Sequence, residues 1–226
     1  MKFCPKAGAC LALMGIALSF VCTDVLAAAA GDWIMRGRII NVNPNDDSED
    51  ALGAGTNTPV GVDAATTLEV DFTYMLESNI GLELILATTK HDINGEGNLS
   101  ALGKIADTGV LPPTLTAQYH FSPGASVRPY VGAGLNYTLF YSEDTTDSLT
   151  NALAASSTSL DLDSSFGLAA QAGVDVDISD GWFFNADVKY IQIKTEATVK
   201  ADGATVSTID VDINPWVFGI GIGKTF

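Results

Sequence analysis

Between about residue 32 and the end of the chain, segments recur in which apolar and polar residues alternate with a period of two, the repeat of a strand whose faces meet different surroundings. In TTLEVDFTYML, Leu68, Val70, Phe72, Tyr74 and Leu76 share one face, and Glu69, Asp71, Thr73 and Met75 share the other. The next run sets Ile80, Leu82, Leu84 and Leu86 against Gly81, Glu83, Ile85 and Ala87. In VRPYVGAGLNYTLFY the apolar side carries Val127, Val131, Ala133, Leu135, Tyr137, Leu139 and Tyr141, opposite Arg128, Gly132, Gly134, Asn136 and Thr138. The pattern predicts eight strands, over residues 32–42, 66–76, 80–90, 113–121, 127–141, 165–178, 182–195 and 208–226.

The connections alternate in length along the chain. Residues 43–65, 91–112, 142–164 and 196–207 form long ones, and residues 77–79, 122–126 and 179–181 form tight ones. In an antiparallel meander that regularity collects every tight turn at one end, the layout of an eight-stranded transmembrane β-barrel with short periplasmic turns and four longer extracellular loops. A short helix is expected in the third long loop, over residues 147–155, where Leu149 and Leu153 have helical spacing.

The first residues carry Lys2 and Lys6, then the apolar run LALMGIALSFV, then the small-residue stretch VLAAAA. This order reads as a secretory signal peptide over residues 1–27, leaving residues 28–226 as one barrel domain. The apolar run is short for a bilayer-spanning helix, and a lipoprotein reading through Cys22 is opposed by Val21 before it. Cys4, Cys10 and Cys22 all fall in the expected leader, so the exported chain is expected to lack disulfides, thiol chemistry and cysteine-bound metal. A formal net charge of −16 argues against a nucleic-acid partner. No further apolar stretch reaches the length of a membrane helix, so a membrane protein of this sequence must cross with strands.

Aromatic residues gather near the strand ends, with Trp33, Tyr119, Phe121, Trp182 and Phe184 toward the tight turns and Tyr137 and Tyr141 toward the long loops. Two such girdles suit the two interfaces of a bilayer. A soluble sandwich would turn the apolar face inward and leave Arg36, Arg38, Glu83, Asp187 and Lys189 on its outer surface. The leader, the loop asymmetry and the terminal Phe226 favour the membrane reading, with Arg36, Arg38, Glu69, Asp71 and Glu83 pairing inside the barrel.

The closing GIGIGKTF superficially suggests a phosphate loop. Phe218 occupies the position where that motif needs its first glycine, and no helix follows to present amides. It reads better as a last strand with Ile220, Ile222 and Phe226 toward lipid and Gly219, Gly221 and Gly223 inward, its terminal phenylalanine addressed to the barrel-insertion machinery. Lys224 departs from the aromatic or apolar residue usual at that place. Together with GDWIMRGRIINVNPND, HDINGEGNLSALGKIADTGVLPPTLTAQYHF and RPYVGAGLNYTLFY, the ending NPWVFGIGIGKTF resembles the OmpW family of outer-membrane proteins from about Gly31 to Phe226. The resemblance implies an eight-stranded barrel with a narrow, largely hydrophobic interior that passes small hydrophobic molecules across the outer membrane.

Enzymatic chemistry finds little support. The two histidines, His91 and His120, are expected near opposite ends of the barrel, and no cofactor is implied. The acidic stretches NPNDDSED, DINGEG and SEDTTD lack a complete calcium-loop pattern; they read as solvated loops that bridge to lipopolysaccharide through divalent ions. Leu52, Ile93, Leu99, Leu102, Ile105, Leu111, Leu149 and Leu153 are costly on solvated loops. With Phe140 and Phe166 at the strand ends they are expected to build a hydrophobic pocket at the outer mouth, for which Leu52, Leu99, Leu102, Ile105, Phe140 and Phe166 are the candidate ligand contacts. The alternative is a structural or receptor barrel with a plugged interior and the same loops serving adhesion.

Overall fold

A computed structural model describes residues 28–226; the expected leader lies outside them. Eight antiparallel strands close into a barrel: β1 (Trp33–Asn43), β2 (Ala65–Glu77), β3 (Ile80–Ala87), β4 (Thr114–His120), β5 (Val127–Thr145), β6 (Ser165–Ser179), β7 (Trp182–Ile191) and β8 (Trp216–Thr225). Each pairs with its sequence neighbours, and β8 returns to β1 in a register running from Ile34 opposite Thr225 to Asn43 opposite Trp216. Closure leaves no free edge, the condition for exposing a sheet to hydrocarbon. Among the described residues no helix is long and apolar enough to cross a membrane.

The period of two survives as a strict division of faces. Leu68, Val70, Phe72, Tyr74, Leu82, Leu84, Leu115, Val131, Leu135, Phe218 and Ile220 are exposed on the outer surface. Thr73, Glu83, Thr116, Gln118, Asn136 and Asn185 are buried on the inner one. A surface so apolar belongs in lipid rather than water. Trp33, Tyr74, Tyr119, Phe121 and Trp182 ring the end with the tight turns, and Tyr137, Tyr141 and Trp216 the other, all on the outer surface. At the tight-turn end, Asp180 and Gly181 join β6 to β7 with φ of 52° and 77°, the left-handed pair that a two-residue hairpin turn requires.

None of the four long connections is a loop throughout; even the first pairs Asp47–Ser48 and Val60–Val62 with neighbouring segments. Beyond β3 the chain resumes as Thr89–Gly95, passes a 3-10 turn at Gly97–Leu102, and returns as Lys104–Leu111 into β4. Beyond β7, Lys194–Ala201 and Ala204–Asp212 form a second hairpin, flanked by Thr158–Leu162. The barrel thus continues above the upper girdle as two hydrogen-bonded flaps. The predicted strands 80–90, 182–195 and 208–226 are each broken at that level, at Thr88, at residues 192–193 and at residues 213–215. The expected helix is present but shorter, Asp147–Ala152, with Thr146 accepting the Leu149 amide at its start.

The terminal glycines occupy the inner wall. A methyl group at Gly221 would overlap the Gly37 carbonyl oxygen and lie 2.8 Å from the Arg38 Cα, and one at Gly223 would strike the Phe183 ring. This empty stripe is what lets arginines from β1 cross the interior. Lys224 turns outward, its amine 5.2 Å from the Trp182 ring centre and 5.4 Å from that of Phe226, so aromatic faces hold the charge at the interface.

Candidate functional site

The interior changes character with height. In the half nearer the tight turns, inward positions are charged because β1 contributes Arg36 and Arg38 on its inner face, and the facing strands contribute carboxylates. Arg36 lies 3.1 Å from Asp71 and 2.9 Å from Asp175. Arg38 lies 2.7 Å from Glu69 and 2.8 Å from Asp187, and also meets Asp71. Glu83 sits 3.6 Å from both guanidinium groups and accepts from Thr116 and Gln171. Lys189 caps the layer, 2.8 Å from Glu69 and 2.7 Å from Asp187. All five interior charges read from the sequence are therefore in one network. It also recruits Asp175, Asp187, Lys189, Tyr130 and Asn185, which the same alternation placed inward.

Below this layer the bore is filled. Tyr130 stacks on His120 at 5.4 Å and lies under Arg36, while Phe183 packs with Ala28, Ile34 and Met75 across the mouth. Buried charges of this kind must be fully paired to be tolerated, and the narrow bore leaves little space beside them.

Above the layer the inner wall turns apolar and encloses a cavity of about 310 Å³, in the range of small-molecule sites. Ile40, Ile85, Ile191 and Val217 line it from the barrel, and Val110, Leu160, Ile209 and Val211 from the flaps. Leu52, Leu99, Leu102, Ile105 and Phe140 are brought together on its lining, as are Ile93, Leu149 and Leu153. Phe166 is not: its position opposite Tyr137 puts it on the outer face, 69% exposed, two strands' alternation having placed it with lipid. Leu111 also stands outside the lining. The signal for the missed wall residues was the loss of alternation at the upper strand ends, as in RIINV and YIQI, where both faces become apolar.

Few polar groups reach the cavity. Glu69 forms part of its floor, and His91 its side, with ring nitrogens 2.8 Å from the Asp63 carbonyl oxygen and from Thr89 Oγ1. Burial holds the His91 imidazole below its ordinary pKa of 6.5, partly opposed by its backbone hydrogen bond to Asp63 and the nearby carboxylates. His120 lies at the other end of the bore, so the two histidines share no site. Among the described residues no cluster of three or more histidine, cysteine or carboxylate groups is arranged to hold a metal.

The ladder around the cavity is interrupted at two places. Pairing between β3 and β4 ends at Ile85 opposite Thr114 and resumes in the same register at Thr89 opposite Val110. Between those pairs, residues 86–88 and 111–113 make no ladder with one another, although Leu86 and Ala87 still pair with β2 and Leu111 with β5. Pro112 and Pro113 lack the amide hydrogens that a ladder needs. The Pro112 carbonyl accepts instead from Thr114 Oγ1 at 2.9 Å and Asn136 Nδ2 at 3.1 Å, and Pro113 from the Tyr137 amide at 3.1 Å. Ala87 and Pro112 line the cavity from either side of the break. A second seam, where β5 above Thr138 faces Thr158–Leu162 without a ladder, is tied by Thr158 Oγ1 to Thr145 Oγ1 at 2.8 Å.

Comparison with known proteins agrees with this architecture. The chain is 45% identical over 205 residues to outer membrane protein W of Vibrio cholerae, covering 89% of this chain and 92% of that protein. It is 31% identical over 208 residues to the dibenzothiophene metabolism operon protein PahQ of Pseudomonas aeruginosa, covering 88% and 90%. The crystal structure of outer membrane protein OprG from Pseudomonas aeruginosa superposes with a TM-score of 0.81 at 35% identity, covering 90% of this chain and 99% of that one. The OmpW family profile matches residues 29–226, and with the barrel, its lipid-facing belt and these relatives it establishes that the chain belongs to the OmpW family of the bacterial outer membrane.

Proposed function

We propose that this barrel takes small apolar molecules from the outside into the cavity above the ion layer and releases them sideways into the outer leaflet, without a catalytic step. The observation that carries the reading is a cavity closed toward the periplasm by paired charges and bordered, at the upper girdle, by the proline-interrupted wall between β3 and β4. An apolar solute gains nothing by entering a layer of buried ion pairs, whereas lipid beside Leu86 solvates it as well as the cavity does. The relative named for dibenzothiophene metabolism supports a flat apolar ligand class. The terminal strand addressed to the insertion machinery, and acidic loops bridged to lipopolysaccharide by divalent ions, belong to the same reading.

The test uses the barrel in phospholipid vesicles and N-phenyl-1-naphthylamine, whose fluorescence rises in lipid. Replacing Pro112 and Pro113 by Val and Thr supplies two amide donors. Transfer of the fluorophore into the bilayer should slow by about tenfold, equivalent to about 1.4 kcal/mol, while its binding is retained. Equal transfer rates with and without the prolines would sink the sideways route, and loss of cavity binding without any change in uptake would sink the cavity's role.

A further inference from the structure

Above the unpaired stretch one contact crosses the outer face of the wall. Tyr141 on β5 stands opposite Gly109, and its ring lies over that glycine so closely that a methyl group there would come within 2.5 Å of Cε2 and Cζ. The ring thereby spans the intervening strand, and its hydroxyl reaches Thr88 Oγ1 at 2.5 Å. Thr88 is the uppermost of the three residues that lack a partner across the break, and its carbonyl accepts from Thr67 Oγ1 on the other side at 2.8 Å. A side-chain strap thus runs from the paired level of Tyr141 and Gly109 down to Thr88, which has no ladder partner across the break.

We infer that Tyr141 is a specificity-determining residue, its strap to Thr88 setting the upper edge of the side portal and so the thickness of the molecules that leave through it. The inference rests on the sideways release proposed above. Three missing pairs span about 10 Å along the strands at about 3.3 Å per residue. With the level of Thr88 covered, about 7 Å remains between Leu86 and Ala87 on one side and Pro112 and Pro113 on the other. Carbon atoms need about 4 Å of contact spacing, so an alkyl chain or a flat ring system edge-on fits and a branched polyphenyl hydrocarbon does not. Gly109 is integral to the device, because any side chain there lifts the ring off the wall.

The test compares an n-alkyl-chain fluorophore with a triphenyl-substituted one, each loaded into the cavity and followed into phospholipid vesicles. Tyr141→Phe and Thr88→Ala each remove the hydroxyl bond while leaving the barrel and ring or strand in place. Transfer of the triphenyl probe is expected to rise about fivefold, the effect of losing one net hydrogen bond, with the alkyl probe changed less than about twofold. The double variant should match either single variant, because all three lack the same bond. Gly109→Ala should give the same selectivity loss with the hydroxyl present. Unchanged binding of the alkyl probe and unchanged heat-modifiable gel mobility identify folded barrels. Transfer of both probes by equal factors, or additive effects of the two single variants, would overturn the strap. Absence of any transfer to lipid by the unaltered protein would overturn the release route itself, and the strap with it.

Discussion

Replacing Arg38 by methionine asks whether the ion layer is a dry, paired floor. Arg38 is 1% exposed and touches Glu69, Asp71 and Asp187, with further hydrogen bonds to Asn185 at 3.1 Å and Tyr130 at 3.3 Å. Methionine preserves much of the stem's packing but leaves Arg36 and Lys189 to balance Glu69, Asp71, Glu83, Asp175 and Asp187. Removing one partner from a buried ionic cluster costs about 3–5 kcal/mol, because the remaining carboxylates lose compensation in a medium that solvates them poorly. Urea unfolding from short-chain lipid vesicles measures the loss, and Trp33, Trp182 and Trp216, all exposed on the lipid face, report insertion through their fluorescence. Adding Asp71→Asn should recover roughly 1–3 kcal/mol through coupling with Arg38. A loss below about 1 kcal/mol for Arg38→Met, or no recovery in the double variant, would mean that water replaces the guanidinium freely. A layer so hydrated would not close the floor to solutes.

Three further outcomes follow from the same geometry. Phe140→Ser should weaken equilibrium binding of an apolar fluorophore by about tenfold, whereas Phe166→Ser, on the outer face, should leave it unchanged. The folded chain holds His91 below its ordinary pKa of 6.5, so the unfolded chain binds the proton more readily. Stability from this site is complete above that pH and declines as pH falls through it toward the folded value; melting of the barrel from pH 8 to 5 should show the decline, and His91→Asn should flatten it. Gly221→Val should prevent closure, since even a methyl group there overlaps the Gly37 carbonyl; the variant should remain at the unfolded gel mobility after refolding into detergent.

Much of this molecule was legible in its residues because a strand between lipid and an interior reports its two faces directly. Leu68 through Leu76 announced lipid, Arg36 with Arg38 and Glu69 with Asp71 announced a paired interior, and loop lengths announced which end was which. The chain's alternation also contained Tyr130 and Asp175, inward by parity though neither was among the expected charges. Phe166 shows the limit: its apolar character suited a pocket wall, but its parity with Leu168 consigned it to lipid.

Period two specifies a side and not a height or a neighbour. That Glu69 meets Lys189 across 120 positions, or that Pro112 and Pro113 fall beside residues 86–88, depends on the registers by which eight strands close. The upper flaps were equally hidden, because the long connections acquire strand pairing only when their partners stand beside them. Sequence alone determined which residues face lipid, through the solvent each side chain tolerates. Tertiary structure decided which inward residues become ion layer, cavity or portal, because closure of the hydrogen-bonded ladder sets their heights.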